Sequence, residues 1–187
     1  MSKQGKGVQK RGEKRKRHRH GKRITIPWKP VLIVVAIIFL VTVAYLVSRG
    51  DTSAQPGTPV AVMPVVHIAD VQSPHVPYNS NPPTSGPHVS LLARWGIHSD
   101  PIPPEVQVHN LEHGGVLVQY SSLASAALIG QLEGVVSRYE DHVILAPYFN
   151  MDSQIALTAW GRIDKFDEWD EDRIVEFIEA YRGIDHH

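Results

Sequence analysis

Residues Val106 to Tyr120 read VQVHNLEHGGVLVQY, and this stretch is the most informative part of the sequence for predicting the fold. Three chemically active side chains, His109, Glu112 and His113, lie within five positions, directly before a Gly-Gly step. The residues that follow, Gly115 to Tyr120, are mostly apolar and β-favouring, and they predict a buried strand. The stretch therefore predicts a polar segment that leads into a core strand, with a candidate site where the two meet.

The spacing of the two histidines limits the conformations in which they can share a ligand. In one continuous strand, His109 and His113 would lie on the same face about 13 Å apart, too far for a single metal ion. If instead Asn110 caps a single helical turn that Gly114 ends in a left-handed conformation, the imidazoles approach within about 6 Å. Only this second arrangement predicts a shared site. The alternative is a structural role, with each histidine bonded to a nearby backbone carbonyl.

The same five residues match the H-x-x-E-H pattern of inverted zinc peptidases. That motif depends on a long helix, which places both histidines on one face with the glutamate beside them as general base. Here Gly114 and Gly115 follow at once, and four β-favouring residues come next, so no long helix can continue. The context therefore disfavours a zinc peptidase.

A second candidate segment lies upstream, where Tyr78 to His88 reads YNSNPPTSGPH. Its prolines fix the path of the chain and Gly86 supplies an unusual dihedral angle, so the loop can hold the His88 imidazole in one position. A turn that only packs under the sheet is the alternative.

The remaining histidines are weaker candidates. His67 and His75, with Met63 nearby, can complete a copper-like set of nitrogen and sulfur ligands, although lone loop histidines are mostly solvated. His186 and His187 stand at a terminus that is expected to fray.

The two ends of the chain differ in charge. Of the 19 Lys and Arg residues, 12 lie in residues 1–30, where Glu13 is the only acid. This segment carries about +11 and predicts a cytoplasmic tail that acts as a topology signal and contacts anionic lipid head groups, with nucleic acid as the alternative partner of the tail. The other residues carry 7 basic and 18 acidic side chains, a net charge near −11. Nucleic acid is therefore not an expected partner of the folded domain.

Residues Val31 to Val47, VLIVVAIIFLVTVAYLV, form an uncharged apolar run. As a helix it covers roughly 26 Å, slightly less than a hydrocarbon core of about 30 Å. Flanking Trp28, Lys29 and Arg49 can anchor its ends, which predicts a transmembrane helix over residues 31–48 that contacts the lipid bilayer. A cleaved signal peptide is the alternative, but the run exceeds a usual h-region and no Ala-x-Ala pattern follows. The positive-inside rule then predicts a single-pass cell-membrane protein with a cytoplasmic N-terminus and an extracytoplasmic C-terminal domain.

The part that follows the span divides into a linker over residues 49–66 and one globular domain over residues 67–187. Within the domain, Val71 to Pro104 is rich in proline and predicts an ordered but irregular loop. Apolar patterns then predict strand, helix, strand, strand and helix, over Gly115–Tyr120, Leu123–Tyr139, His142–Tyr148, Ile155–Ile163 and Asp170–Tyr181. The expected fold class is α+β, a small two-layer sandwich with the Pro-rich segment over one edge. The chain has no cysteine, which excludes disulfides and Cys-based metal or haem sites.

Six short motifs spread over about Val65 to Ile184 occur together: Tyr78-Asn79, Pro82-Pro83-Thr84-Ser85-Gly86-Pro87-His88, Trp95-Gly96, His109-Asn110-Leu111-Glu112-His113-Gly114-Gly115, Pro147-Tyr148 and Ala159-Trp160-Gly161. In combination they resemble the bacterial family known as domain of unknown function 3105. The resemblance implies a membrane-anchored extracytoplasmic domain, in agreement with the separate topology prediction. It implies no established activity, substrate or ligand set.

Three functions fit these observations. The leading hypothesis is a metal-binding domain in which His109 and His113, with His88 or Glu112, hold Cu(II) or Zn(II), since imidazole suits both ions. No organic cofactor is indicated. The second hypothesis is a metal-free module whose loops bind a protein or an envelope ligand.

The third hypothesis is a hydrolase that uses a histidine as general base and Glu112 to orient it. Such an enzyme needs a nucleophile, and the nearby candidates are Thr84 and Ser85. Neither lies on a nucleophile-elbow pattern.

Overall fold

The computed structural model describes Ile38, Phe39 and residues 55–187. Ile38 and Phe39 are helical, while the rest of the predicted transmembrane helix and the basic segment of residues 1–30 lie outside the described residues. Within the described part of the chain, no helix is both long and apolar enough to cross a membrane. The chain divides into two compact units, Met1–Asp51 and Thr52–His187, and the second holds every strand that the structure describes.

Eight strands and three helices lie within residues 55–187. The strands are β1 (Thr58–Pro59), β2 (Val66–His67), β3 (Pro87–His88), β4 (Gly96–Ile97), β5 (Val116–Tyr120), β6 (Val143–Pro147), β7 (Ile155–Ala159) and β8 (Arg162–Phe166). The helices are α1 (Pro104–Glu112), α2 (Ala126–Val136) and α3 (Glu171–Tyr181). The prediction of a mixed α+β domain is confirmed.

Six of the strands form one mixed sheet in the order β1-β8-β7-β5-β6-β4, and β2 pairs with β3 in a separate parallel ladder. Strand β5 lies at the centre, parallel to β6 and antiparallel to β7. Parallel neighbours need a crossover connection, and α2 provides it between β5 and β6. The predicted strand at Gly115–Tyr120 and the helix that follows it therefore form the centre of the fold.

The predicted strand Ile155–Ile163 is wrong as a single element. It consists of two antiparallel strands, β7 and β8, whose paired ends Ala159 and Arg162 flank a turn at Trp160 and Gly161. Strand β7 is buried along its whole length, and β8 is partly exposed. Apolar residues therefore continue through the turn, and the two strands look like one in the sequence. Periodicity alone did not separate two strands joined by so short a connection.

The sheet is covered on both faces, whereas a two-layer sandwich was expected. Val116 and Val118 of β5 face a core built with α2 and α3. Leu117, between them, faces a second core with Val106 and Leu111 of α1. Alternate residues of a strand point to opposite faces, so an apolar run such as β5 fits burial on both sides.

Helix α1 is the element that the sequence did not predict, because only a single turn was expected near Asn110. Pro104 occupies a first-turn position, where a missing N–H has no cost. The residues from Val106 to Glu112 are all buried. A helix buried all round has no polar stripe, so its period is not visible in the sequence.

The globular unit also includes residues that were assigned to the linker over residues 49–66. Thr58 pairs with Ile163 at the edge of the sheet, and the Tyr181 hydroxyl donates to the Pro56 carbonyl at 2.6 Å. The folded domain therefore begins before the predicted boundary at residue 67.

Candidate metal centre

Helix α1 carries three of the four predicted ligands near its C-terminal end. His109 and Glu112 stand one turn apart, and His113 is the residue at which the helix ends. The next residue, Gly114, has a φ of 75°, the left-handed conformation that the helical arrangement of the two histidines requires. The ring centroids of His109 and His113 are 4.7 Å apart, which agrees with the helical and not the extended arrangement.

The Pro-rich loop brings His88 to the same place. Its side chain is fully buried, and its Nδ1 lies 2.8 Å from the Gly86 carbonyl oxygen. Because a carbonyl can only accept, Nδ1 carries the proton and donates to it. This bond fixes the ring and leaves Nε2 facing Glu112.

His67 joins the group through strand pairing. In the parallel ladder of β2 and β3, His67 stands in register with His88, and their ring centroids are 4.7 Å apart. The rings of His67 and His109 are 5.8 Å apart. His67 is exposed, whereas its three neighbours are buried, so it forms the solvent side of the group.

We call His67, His88, His109 and Glu112 the His-Glu cluster; one ligand atom from each lies within 4.8 Å of those of the others. Glu112 Oε2 is 3.0 Å from His88 Nε2 and 3.4 Å from His109 Nδ1. These three atoms are buried, and none has a hydrogen bond of acceptable geometry to any residue that the structure describes. Three close polar atoms without such bonds are unusual in a folded interior.

Burial lowers the pKa of His109 below its ordinary value, and the neighbouring His113 and His88 lower it further. Glu112 acts in the opposite direction, since a carboxylate favours the imidazolium form. Because the pKa of His109 lies below its ordinary value, the ring is neutral at neutral pH, and neutral imidazole is the form that binds metal ions.

The predicted set of His88, His109, Glu112 and His113 is thus only partly brought together. His88, His109 and Glu112 meet in the His-Glu cluster, and His113 belongs to a second group with Glu112 and His187. His67 has the sequence context of a lone, solvated loop histidine, whereas the structure places it on β2. The short β-favouring run around it, Val65-Val66-His67-Ile68, was the available indication that it lies on a strand.

The other weaker candidates lie outside the His-Glu cluster. The His75 ring approaches Glu105 at 3.3 Å. Met63 is held by its backbone N–H, which donates to the Ser85 hydroxyl at 2.9 Å. Thr84 and Ser85 are fully buried, so neither is placed as an accessible nucleophile.

The chain belongs to a known family. Residues 70–186 match the family model described as "Protein of unknown function (DUF3105)". This match covers the Pro-rich loop, α1 and the whole sheet except β1, and therefore every member of the His-Glu cluster except His67. No curated protein and no solved structure matches the chain.

Proposed function

We propose that the protein is a membrane-anchored metal-binding domain that holds Zn(II) or Cu(II) in the His-Glu cluster. One observation carries the proposal: three buried atoms, His88 Nε2, His109 Nδ1 and Glu112 Oε2, meet at 3.0 and 3.4 Å without hydrogen-bond partners among the described residues. A cation between them satisfies all three.

The tautomer of His88 supports a cation. Its Nδ1 proton is engaged by the Gly86 carbonyl, so a neutral ring presents the lone pair of Nε2 to the carboxylate of Glu112. Two acceptors at 3.0 Å repel each other unless a positive charge lies between them. A second proton on the ring is the competing solution, but the contact lacks the alignment of an N–H hydrogen bond.

The ligand set indicates which ions fit. Three imidazoles and one carboxylate suit Zn(II) in a tetrahedral site, and they also suit Cu(II) in a tetragonal one. Ca(II) and Mg(II) prefer oxygen ligands and are disfavoured. The absence of cysteine leaves imidazole as the strongest ligand that the domain can offer.

Four protein ligands favour binding over hydrolysis. A catalytic zinc ion keeps one position for water, whereas a tetrahedral ion in the complete His-Glu cluster keeps none. His67 is the exposed ligand, so it is the one that can release the ion to a partner or admit it. Capture and transfer of a metal ion is therefore the function that this arrangement favours.

In the same proposal the domain lies on the extracytoplasmic face of the membrane. The support is the charge asymmetry of the sequence, in which residues 1–30 are strongly basic and the apolar run over residues 31–48 follows them. Protease added outside intact spheroplasts should then remove the domain and spare the basic segment. Protection of the domain against that protease would overturn this orientation.

The test of metal binding uses the full chain purified in detergent, freed of metal by chelation and titrated with Zn(II) or Cu(II). His67→Ala should weaken the tightest binding event by at least about tenfold, because it removes an exposed ligand without opening the core. His75→Ala is the matched control, since its ring lies outside the His-Glu cluster. Comparison between the variants cancels binding by the histidines of the basic segment. Equal affinities in wild type and His67→Ala would contradict the proposal, and no binding in either would favour the metal-free interaction module.

A further inference from the structure

The last residues of the chain fold back onto the end of α1, whereas the sequence predicted that this terminus would fray. The Gly183 N–H donates to the Gly114 carbonyl at 2.8 Å, and the His186 N–H donates to the Glu112 carbonyl at 2.8 Å. The His186 ring stacks on Trp160 with centroids 6.0 Å apart. The tail is therefore anchored by its backbone beside the His-Glu cluster.

Gly114 makes this close approach possible. A Cβ atom added there would lie 2.8 Å from the Ile184 backbone nitrogen, a distance that real side chains do not tolerate. The same glycine thus ends α1 and gives the tail its path.

The tail places the His187 side chain at the edge of the His-Glu cluster. The rings of His113 and His187 stack with centroids 5.0 Å apart and planes 17° apart. Asp185 fixes the final residue, because its Oδ1 accepts the His187 N–H at 2.9 Å. One ligand atom each from Glu112, His113 and His187 lies within 4.8 Å of the other two.

We infer that Glu112, His113 and His187 bind a second transition-metal ion, so that the Glu112 carboxylate is shared between two ions. This inference rests on the proposed function, because Glu112 is also a ligand of the first ion. A shared carboxylate is the usual means of holding two ions about 3.5 to 4 Å apart, since its negative charge offsets their repulsion. Two imidazoles and a carboxylate are the same ligand types as in the His-Glu cluster.

The second ion differs from the first in its exposure. His113 is 30% exposed and Asp185 64%, so this ion faces water. Three ligands leave at least one position for water or for an incoming donor. Asp185 Oδ1, 3.9 Å from His113 Nδ1, stands within reach of a small movement that adds a fourth ligand. The second ion is therefore the weaker and more exchangeable of the two.

The experiment counts Cu(II) ions bound to the full chain in detergent and records their electron paramagnetic resonance spectrum. His187→Ala removes a ligand at the exposed end of the chain, and His186→Ala is the matched control from the same tail. Wild type and His186→Ala should bind one more Cu(II) per chain than His187→Ala. Two Cu(II) ions that share a carboxylate should also show spin coupling, and His187→Ala should show the signal of isolated ions.

The outcomes separate this inference from the proposed function. Equal copper counts in wild type and His187→Ala overturn the second site, while tight binding that depends on His67 leaves the first intact. An extra ion without spin coupling overturns the sharing of Glu112. Loss of all specific binding in Glu112→Gln, with one ion lost in His187→Ala, supports both sites.

Discussion

Replacing Glu112 by glutamine separates a metal site from a buried ion pair. The substitution keeps the shape of a side chain that is 2% exposed and removes its charge. If an ion is the missing partner of His88 Nε2 and His109 Nδ1, the chelated protein gains nothing from the carboxylate. Its free energy of unfolding should then stay the same or rise, since burying an unpaired charge costs free energy. If one of the histidines were instead a protonated partner, the substitution should cost about 3 to 5 kcal/mol.

The metal-loaded protein should respond in the opposite way. An ion at a hundredfold excess over its dissociation constant stabilises the native state by about 2.7 kcal/mol if it does not bind the unfolded chain. For a folded unit of this size each kcal/mol raises the melting temperature by about 3 to 5 °C. The wild type should therefore melt about 8 to 13 °C higher with Zn(II) or Cu(II) than with chelator. Glu112→Gln should lose most of this gain.

The measurement is a thermal melt of the full chain, followed by near-ultraviolet circular dichroism, with chelator and with each ion. Glu105→Gln is the matched control, because Glu105 lies on the same helix and also approaches a histidine, His75, at 3.3 Å. That variant should keep the full metal response. Metal binding in the His-Glu cluster is refuted if neither ion raises the wild-type melting temperature at neutral pH, or if Glu112→Gln unfolds several degrees lower in chelator.

Three further predictions concern the scaffold around the site. Gly115→Ala should destabilise the protein by about 1 to 3 kcal/mol in chemical denaturation, because its Cβ would lie 2.5 Å from the Asn110 carbonyl oxygen. Gly130→Ala, in α2, should be neutral or stabilise by up to about 1 kcal/mol, because no atom beyond its chain neighbours and its own helix backbone lies within 4 Å of the added Cβ; equal losses in the two variants would show that the close approach at Gly115 does not cause the loss. Asn110→Ala should lower the free energy of unfolding by about 1 to 3 kcal/mol, because the buried amide accepts from the Ala93 N–H at 2.8 Å and donates to the Ala93 carbonyl at 2.9 Å. An unchanged denaturation midpoint would show that these bonds contribute little. Burial, and then nearby acidic groups, raise the pKa of Tyr78 well above its ordinary value of 10.0. Above pH 10 the native state therefore keeps a proton that the unfolded chain releases, so the free energy of unfolding should fall as pH rises. In an ultraviolet titration, Tyr78→Phe should show one late-ionising tyrosine fewer than the wild type.

The sequence by itself determined the elements that have a regular pattern. The apolar run of β5, the helical period of α2 and the amphipathic α3 were predicted close to their observed bounds. Of the two arrangements that the sequence left open for His109 and His113, the φ of 75° at Gly114 agrees with the helical turn and not with the continuous strand. These features depend on local backbone preferences and on the alternation of apolar and polar residues, and both can be read along the chain.

Helix α1 was missed for a tertiary reason. Its polar side chains are buried and obtain their partners from distant or neighbouring segments. Gln107 donates to the Ile102 carbonyl at 2.6 Å and accepts from Gln119 of β5 at 2.8 Å. Asn110 bonds both ways to the backbone of the loop at Ala93. A sequence pattern treats such residues as surface positions, so it cannot recognise a helix that is enclosed on all sides.

The membership of the site was also decided by tertiary structure. His88, His109 and Glu112 were recognisable as ligand types in constrained segments, and they do meet. His67 joins them only because β2 pairs in parallel with β3, and His187 approaches only because the tail bonds to the end of α1. Residue type and local spacing determine which side chains can bind an ion. Which of these side chains come close enough to share an ion depends on hydrogen bonds between segments far apart in the chain. Such bonds leave no pattern in the local sequence.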